Sequence, residues 1–358
     1  MNLIYDKLKE EVDKGLEGGN SGITTGFKEL DKYILIRKRV YTLIFGASGT
    51  GKSALATCGW ILNPFDWYWK NKATTKIKLK IVYFSMERSS VYISAKFLSR
   101  KIFLNEGIEI PVSRLLGWWD KKLSKEEYTI FIKYKPYFDN MSKVIEIIDG
   151  KQNPTGIYKW IQKYALENGK VEQINEFQKM YIPNDENLIT IIVIDHQSLI
   201  SREKGLNTKK EAIDKLSEYL QHARDFYGFS PVLVAQMNRD IANPVYSKME
   251  SFEPMPEQIK DSATSYEDCD VCLSLFDSVK FKTKAPTGHD ADKLIDKETG
   301  DKYYRSLKIH KNSWGQDDIR KGMAFLGGYG HFKCLPKFSD TTEDIYKSVL
   351  DKTYFLND

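Results

Sequence analysis

Gly46-Ala47-Ser48-Gly49-Thr50-Gly51-Lys52-Ser53 is the stretch on which the reading of this chain turns. It fits the pattern G-x-x-x-x-G-K-[ST]. An apolar run, Val40 to Phe45, leads into it and Ala54-Leu55-Ala56 follows, so the local order is strand, glycine loop, helix start. The glycines let backbone N–H groups turn inward around phosphate oxygens, and the following helix offers the positive end of its dipole to the same anion. On this reading Lys52 reaches the β- and γ-phosphates of ATP, and the Ser53 hydroxyl ligates Mg²⁺. An ordinary glycine-rich turn with a lysine after it is the plainer alternative, and it leaves the flanking strand and helix without a role.

Working outward, a phosphate loop needs an acidic residue at the end of a neighbouring strand, because Mg²⁺ prefers hard oxygen ligands and keeps several waters. Ile191-Ile192-Val193-Ile194-Asp195 supplies one, with Asp195 as the metal-side carboxylate. A carboxylate occupied with the metal cannot easily serve as the base that orients water. Glu87, which ends the stretch Ile81-Val82-Tyr83-Phe84-Ser85-Met86-Glu87, would emerge at the carboxyl edge of the sheet, where ligands bind in such folds. A third run, Pro231 to Ala235, ends in Gln236-Met237-Asn238-Arg239. There Gln236 is placed to sense a γ-phosphate or the attacking water.

The remaining runs, Leu79 to Phe84, Val144 to Ile148, Val271 to Phe276, Leu307 to His310 and Met323 to Leu326, alternate early with helical segments and late with turns. Continuously apolar strands imply parallel pairing with helices on both faces, and the turn-linked later strands imply an antiparallel finish. The fold class is therefore α/β, with a mostly parallel central sheet. Asn153-Pro154 marks a helix start whose Ile157, Trp160, Ile161 and Tyr164 form a core face. Asn168 to Asn187, Asn238 to Asp261 and Asp277 to Tyr304 read as extended loops.

With 358 residues, 41% hydrophobic and 29% charged, the chain can bury a sizeable core, and its formal charge of +5 is compatible with a polyanion without requiring one. Four cysteines are too few for a secreted disulfide framework, which favours a reducing, cytoplasmic setting. Cys269 and Cys272 have C-x-x-C spacing but sit at a buried strand, so they read as core residues. No run approaches the ~18 apolar residues of a membrane span. Leu3, Ile4, Leu8, Val12 and Leu16 form an apolar stripe on a short helix, followed by the flexible Gly18-Gly19-Asn20, and such a stripe needs a partner surface.

In order and approximate spacing these motifs resemble the RecA-like motor of DnaB-type hexameric replicative helicases, including the phage helicases of that superfamily. The resemblance runs from about Ile23 to Leu326. Thr25-Gly26-Phe27-Lys28-Glu29-Leu30-Asp31 looks like the family's T-G-F-x-x-L-D, Ser85-Met86-Glu87 its S-L-E-M, and Ile194-Asp195-His196-Gln197 its Walker B strand end. Ala235-Gln236-Met237-Asn238-Arg239 looks like its S-Q-L-N-R, and Glu267-Asp268-Cys269-Asp270-Val271 resembles E-Q-D-A-D-V. The resemblance implies a RecA-like P-loop NTPase using ATP and Mg²⁺, with Glu87 activating water. It implies a ring, hexameric in the family, with single-stranded DNA in its channel, and a primase or helicase loader as partner. A host cytoplasm follows if the chain is phage-encoded. By the same resemblance Arg202, Lys204, Lys209, Lys210, Arg239, Lys248 and Lys260 face the DNA; by themselves, with acidic residues interspersed, they read as solvated charges.

The resemblance divides the chain into a subunit-docking linker helix (1–20), a motor domain (21–340) and a C-terminal tail (341–358). The family's N-terminal helical domain is then not expected within it. One motif departs. The family's K-x-R-x-G, whose cations reach a neighbouring subunit's ATP, aligns with Lys311-Asn312-Ser313-Trp314-Gly315, so a serine stands where the arginine finger belongs. Lys311 acting alone, or Arg305, Arg320 or Lys321 in substitution, are the open alternatives. A RecA-like recombinase or mediator, and a low-turnover ATP-binding accessory, remain the competing functions.

Overall fold

The computed structural model describes residues 3–16, 18–238, 252–260 and 263–356. Nine strands form the central sheet. They are β1 (Thr42–Gly46), β2 (Lys78–Ser85) and β3 (Ile145–Asp149); then β6 (Leu188–Asp195), β7 (Ser230–Gln236) and β8 (Val271–Phe276); and finally β9 (Tyr304–Asn312), β10 (Ile319–Leu326) and β11 (His331–Cys334). A separate hairpin pairs β4 (Gly169–Gln173) with β5 (Lys179–Pro183). The sheet order is β11-β10-β9-β8-β1-β7-β6-β2-β3. From β8 to β3 every pairing is parallel, and β9, β10 and β11 close the other edge antiparallel.

The parallel strands are apolar throughout because both faces are covered, and successive side chains alternate between two cores. Ile44, Ile191, Val193, Val234 and Leu273 point to one side, against Leu55 and Ile61. Leu43, Phe45, Ile192, Ile194 and Leu233 point to the other, against Ile157, Ile161, Ile213, Leu216 and Leu220 of the helices Pro154–Glu167 and Lys209–Asp225. The first of these helices starts as its sequence dictates. The Asn153 side chain accepts from the Gly156 N–H at 2.6 Å, and Pro154 takes the first turn. Burying Ile157 and Ile161 completely stabilises its docking by about 2 kcal/mol each.

Two segments differ from their reading. The 168–187 stretch is a hairpin rather than a loop; its Tyr181 is buried while Val171 and Met180 stay exposed, so the sequence carries no alternation there. Strand β11 is four residues long and has no counterpart among the expected runs. Within the C-terminal tail assigned to 341–358, residues 343–356 form the helices Glu343–Leu350 and Thr353–Leu356, and bury Tyr346, Val349 and Phe355 with Phe103 and Tyr329. The loop read at 238–261 lies mostly outside the described residues. Cys269, just before β8, and Cys272, within it, are buried in the core. At the amino end, the helix Leu3–Leu16 leaves Ile4, Leu8, Val12 and Leu16 exposed, by 81%, 59%, 51% and 83%. Among the described residues no helix is long and apolar enough to cross a membrane.

Candidate functional site

The parallel register brings the motifs to one edge. Gly46 at the end of β1 pairs with Gln236 at the end of β7, and Ser85 at the end of β2 pairs with Asp195 at the end of β6. The phosphate loop therefore lies level with Gln236 and beside Asp195, and Glu87 follows two residues past β2 on the same edge. Loop geometry depends on its glycines. A Cβ at Gly46 would sit 2.4 Å from the Leu275 carbonyl oxygen. Gly51 holds φ at +101°, and a Cβ there would press 2.9 Å from the Phe325 ring. Phe325 and Phe332, stacked at 4.2 Å on β10 and β11, thus buttress the loop from below.

Ser53 Oγ donates to Asp195 Oδ1 at 2.8 Å, and Tyr83 Oη donates to Asp195 Oδ2 at 2.8 Å. Asp195 is buried, so these two donors orient a carboxylate that has little water. Burial and the adjacent carboxylate push the Tyr83 phenol well above its ordinary range, which keeps it a donor at neutral pH. Lys52 Nζ donates to the Ala47 carbonyl at 2.7 Å. Burial pushes its ammonium down to about 8; Asp195 opposes that shift and Lys280 adds to it. Glu87 is exposed and pairs with the neighbouring Arg88 at 3.5 Å. The Gln236 carboxamide is half-buried, and its backbone carbonyl accepts from the Lys260 N–H at 2.7 Å.

A hard hydroxyl and a hard carboxylate side by side suit Mg²⁺, which takes a few protein oxygens and completes its shell with water and phosphate. Ser53 and Asp195 fit that requirement. Among the described residues no cluster of three His, Cys, Asp or Glu side chains offers a cage for another metal.

The basic residues divide. Arg202 and Lys204 are exposed, and Arg202 Nη1 donates to the Asn207 carbonyl at 3.0 Å. Lys209 donates to the Ile200 carbonyl, and Lys210 is exposed on the first turn of its helix. Gln197 Nε2 donates to the Lys260 carbonyl at 3.1 Å, so the stems of the two basic loops are tied together. Arg239 and Lys248 lie outside the described residues.

Lys311 is not brought to the phosphate loop. It pairs with Cys272 near the start of β8, whereas Gly46 pairs with Leu275 near its finish. The two ends of β1 are about 13 Å apart. Lys311 Nζ donates to the carbonyls of Tyr266 and Glu267 at 3.1 and 2.9 Å, and Ser313 is exposed in the turn beyond. The substitute cations are held within the chain. Arg320 grips Glu253 through two hydrogen bonds of 2.6 and 2.8 Å, and Lys321 meets Glu29 at 3.5 Å.

Arg305 is buried at the phosphate-loop edge, where its Nε donates to the Thr50 carbonyl at 2.8 Å and its Nη2 pairs with Asp277 at 3.2 Å. The sequence reading named Arg305 only as a substitute finger cation, not as this strut, and did not identify Lys280 beside it. The signal for them is weak: a lone arginine in a strand and a lysine in a loop, both far along the chain from Gly46.

Comparison with known proteins supports the fold. No family model matches the sequence, and no curated protein matches it. Among solved structures it is similar to one described as an ATPase domain, with a TM-score of 0.64 at 18% identity, over 92% of this chain and 98% of that one. It is also similar to a DnaB-like replicative helicase whose structure was described with its interactions with primase: TM-score 0.64, 17% identity, 94% of this chain and 67% of that one. At this identity the likeness shows the fold, an α/β RecA-like P-loop architecture. That is the architecture the motifs implied.

Proposed function

We propose that this chain is the ATP-hydrolysing motor of a DnaB-type replicative helicase, which works as a ring on single-stranded DNA. One observation carries the reading: the phosphate loop, Asp195, Glu87 and Gln236 emerge on one edge from four adjacent strands. The similarity in fold to a solved ATPase domain and to a DnaB-like replicative helicase supports it.

The chain's own groups divide the work. Backbone N–H groups of residues 46–53 and the Lys52 ammonium bind the polyphosphate. Ser53 and Asp195 would hold Mg²⁺, which when bound neutralises charge on the phosphate oxygens. Glu87 is exposed, its ion pair is with the exposed Arg88, and it is placed to orient a water and take its proton. Gln236 reports loss of the γ-phosphate to the basic loops, because its backbone is bonded to Lys260 and Lys260 to Gln197.

Lys311, on the opposite edge, reaches a phosphate only in a neighbouring subunit. The exposed stripe Ile4-Leu8-Val12-Leu16 gives such a neighbour a docking surface, as a linker helix would. A primase or loader partner belongs to the same proposal. The test measures ATP turnover with and without single-stranded DNA, unwinding of a forked duplex, and mass in solution. Turnover that DNA does not raise, with no unwinding, would sink it.

A second reading has its own observation. Ser313 supplies no charge, and Lys311 is already bonded to two carbonyls, so a slow ATPase acting as a replication accessory is the alternative. A ring that forms on ATP but hydrolyses it no faster with DNA would select it.

A further inference from the structure

We infer that Lys280 is a second phosphate-binding lysine of the nucleotide loop, an inference that rests on the nucleotide-binding reading above. Lys280 belongs to the short helix Ser278–Phe281, which follows β8. It stands 232 residues beyond Ser48, yet its Nζ donates to the Ser48 carbonyl. The same nitrogen lies 3.3 Å from where a Cβ on Gly49 would be, so the glycine leaves that side of the loop open to the ammonium. The residue is solvent-exposed.

The support beneath it is built, not accidental. Asp277, buried, accepts from the Lys280 backbone N–H at 3.0 Å and so starts the helix that carries the lysine. The other oxygen of that carboxylate pairs with Arg305 Nη2 at 3.2 Å, and Arg305 Nε donates to the Thr50 carbonyl at 2.8 Å. The helix and the loop are thus fixed to each other through a buried ion pair. All three guanidinium nitrogens of Arg305 are engaged, since Nη1 also donates to the carbonyls of Lys302 and Tyr304. Its charge is neutralised in place and faces no ligand.

Lys280 is different. Among the described residues no carboxylate pairs with it, and its polar partner is a carbonyl dipole. Lys52 is in the same state, bonded to the carbonyl of Ala47. Two ammonium groups flank one loop on the adjacent carbonyls of Ala47 and Ser48. Like charges converge in this way at a site built for a shared anion, and the anion that suits two cations and a row of inward N–H groups is a polyphosphate. On nucleotide binding, both lysines exchange a neutral carbonyl for charged oxygens.

The test titrates fluorescent ATP and AMP analogues against the full chain and three variants, Lys280→Met, Lys280→Arg and Lys52→Ala, at two salt concentrations. Lys280→Met is expected to weaken ATP by about tenfold, with AMP nearly unchanged, and to flatten the salt dependence. Lys280→Arg is expected to keep most of the affinity. If Lys280→Met binds ATP within twofold of the parent while Lys52→Ala has lost it, the inference falls and the nucleotide reading stands. Equal weakening of ATP and AMP makes Lys280 a mere strap on the loop and also overturns it. Parent protein that does not bind ATP, or a neutral Lys52→Ala, overturns the reading beneath.

Discussion

The two ends of the sheet are furnished differently. At the carboxyl end the residues of the proposed nucleotide site lie together within one chain: Lys52, Ser53 and Asp195 are buried or half-buried, and Ser53 and Tyr83 orient the Asp195 carboxylate. At the amino end the turn Ser313 to Gly315 that follows Lys311 is exposed, with Trp314 59% accessible and Arg37 over its ring at 5.4 Å. Both ends carry cations, but only one has in-chain groups to make them a site. The difference teaches that the residues of the proposed nucleotide site gather at one end of the sheet, whereas Lys311 lies at the other end, beyond reach of its own chain's phosphate loop.

The largest effect expected is on the finished end. Glu87→Gln should keep ATP binding and lower turnover by about 10²–10⁴-fold, measured as phosphate release. Turnover that survives would remove Glu87 from its role and leave the carboxyl end without a base. Next comes the strut. Arg305→Ala strands the buried Asp277 carboxylate and should cost about 3–5 kcal/mol in chemical denaturation, whereas a joint Arg305→Met, Asp277→Leu replacement costs less. A near-neutral single variant would mean the loop is not held by β9.

The third concerns pH. Lys52 titrates near 8 in the folded chain against 10.5 when unperturbed. Bound polyphosphate favours the charged form, so binding takes up a proton above about pH 8 and affinity should fall as pH rises through that value, by up to about tenfold per unit. Stability runs the other way: between the two values the unfolded chain binds more protons, so unfolding free energy rises with pH. Calorimetry in buffers of different ionisation enthalpy counts the proton directly, and no uptake would refute the depressed lysine.

The smallest effects are at the outward end. Lys311→Ala should leave nucleotide affinity within twofold yet slow turnover in the assembled protein, a split that a residue of its own chain's site would not show. Replacing Ile4, Leu8 and Val12 by serine should change stability by less than about 0.5 kcal/mol each, because all three are exposed, while shifting the mass in solution toward a single chain.

The finished end is legible in the sequence for a physical reason. Each of its motifs is a continuous apolar strand running straight into its polar residues, so Gly46–Ser53, Asp195, Glu87 and Gln236 announce themselves locally, and parallel pairing then aligns them. Arg305, Asp277 and Lys280 are not legible, because they meet the loop only through the antiparallel register of β8 and β9. The hairpin β4–β5 escapes because both its faces are largely exposed, and β11 because four residues are too few to show a period. Strand β9 reads as Leu307 to His310 but spans Tyr304–Asn312, since its flanks are polar residues satisfied by partners that the sequence does not place beside them.

That longer strand has a mechanical meaning. Arg305 near one end of β9 is fastened to the phosphate loop at Thr50, and Lys311 near the other end belongs to the outward turn. The strand between them is not uniform: Lys311 pairs with Cys272 and Ile309 with Leu273, so His310 is an extra residue, a bulge that bends the strand and interrupts its ladder. The residue fastened to the phosphate loop and the residue at the outward turn therefore sit on two segments of one strand, and a movement of either reaches the other only through that bend.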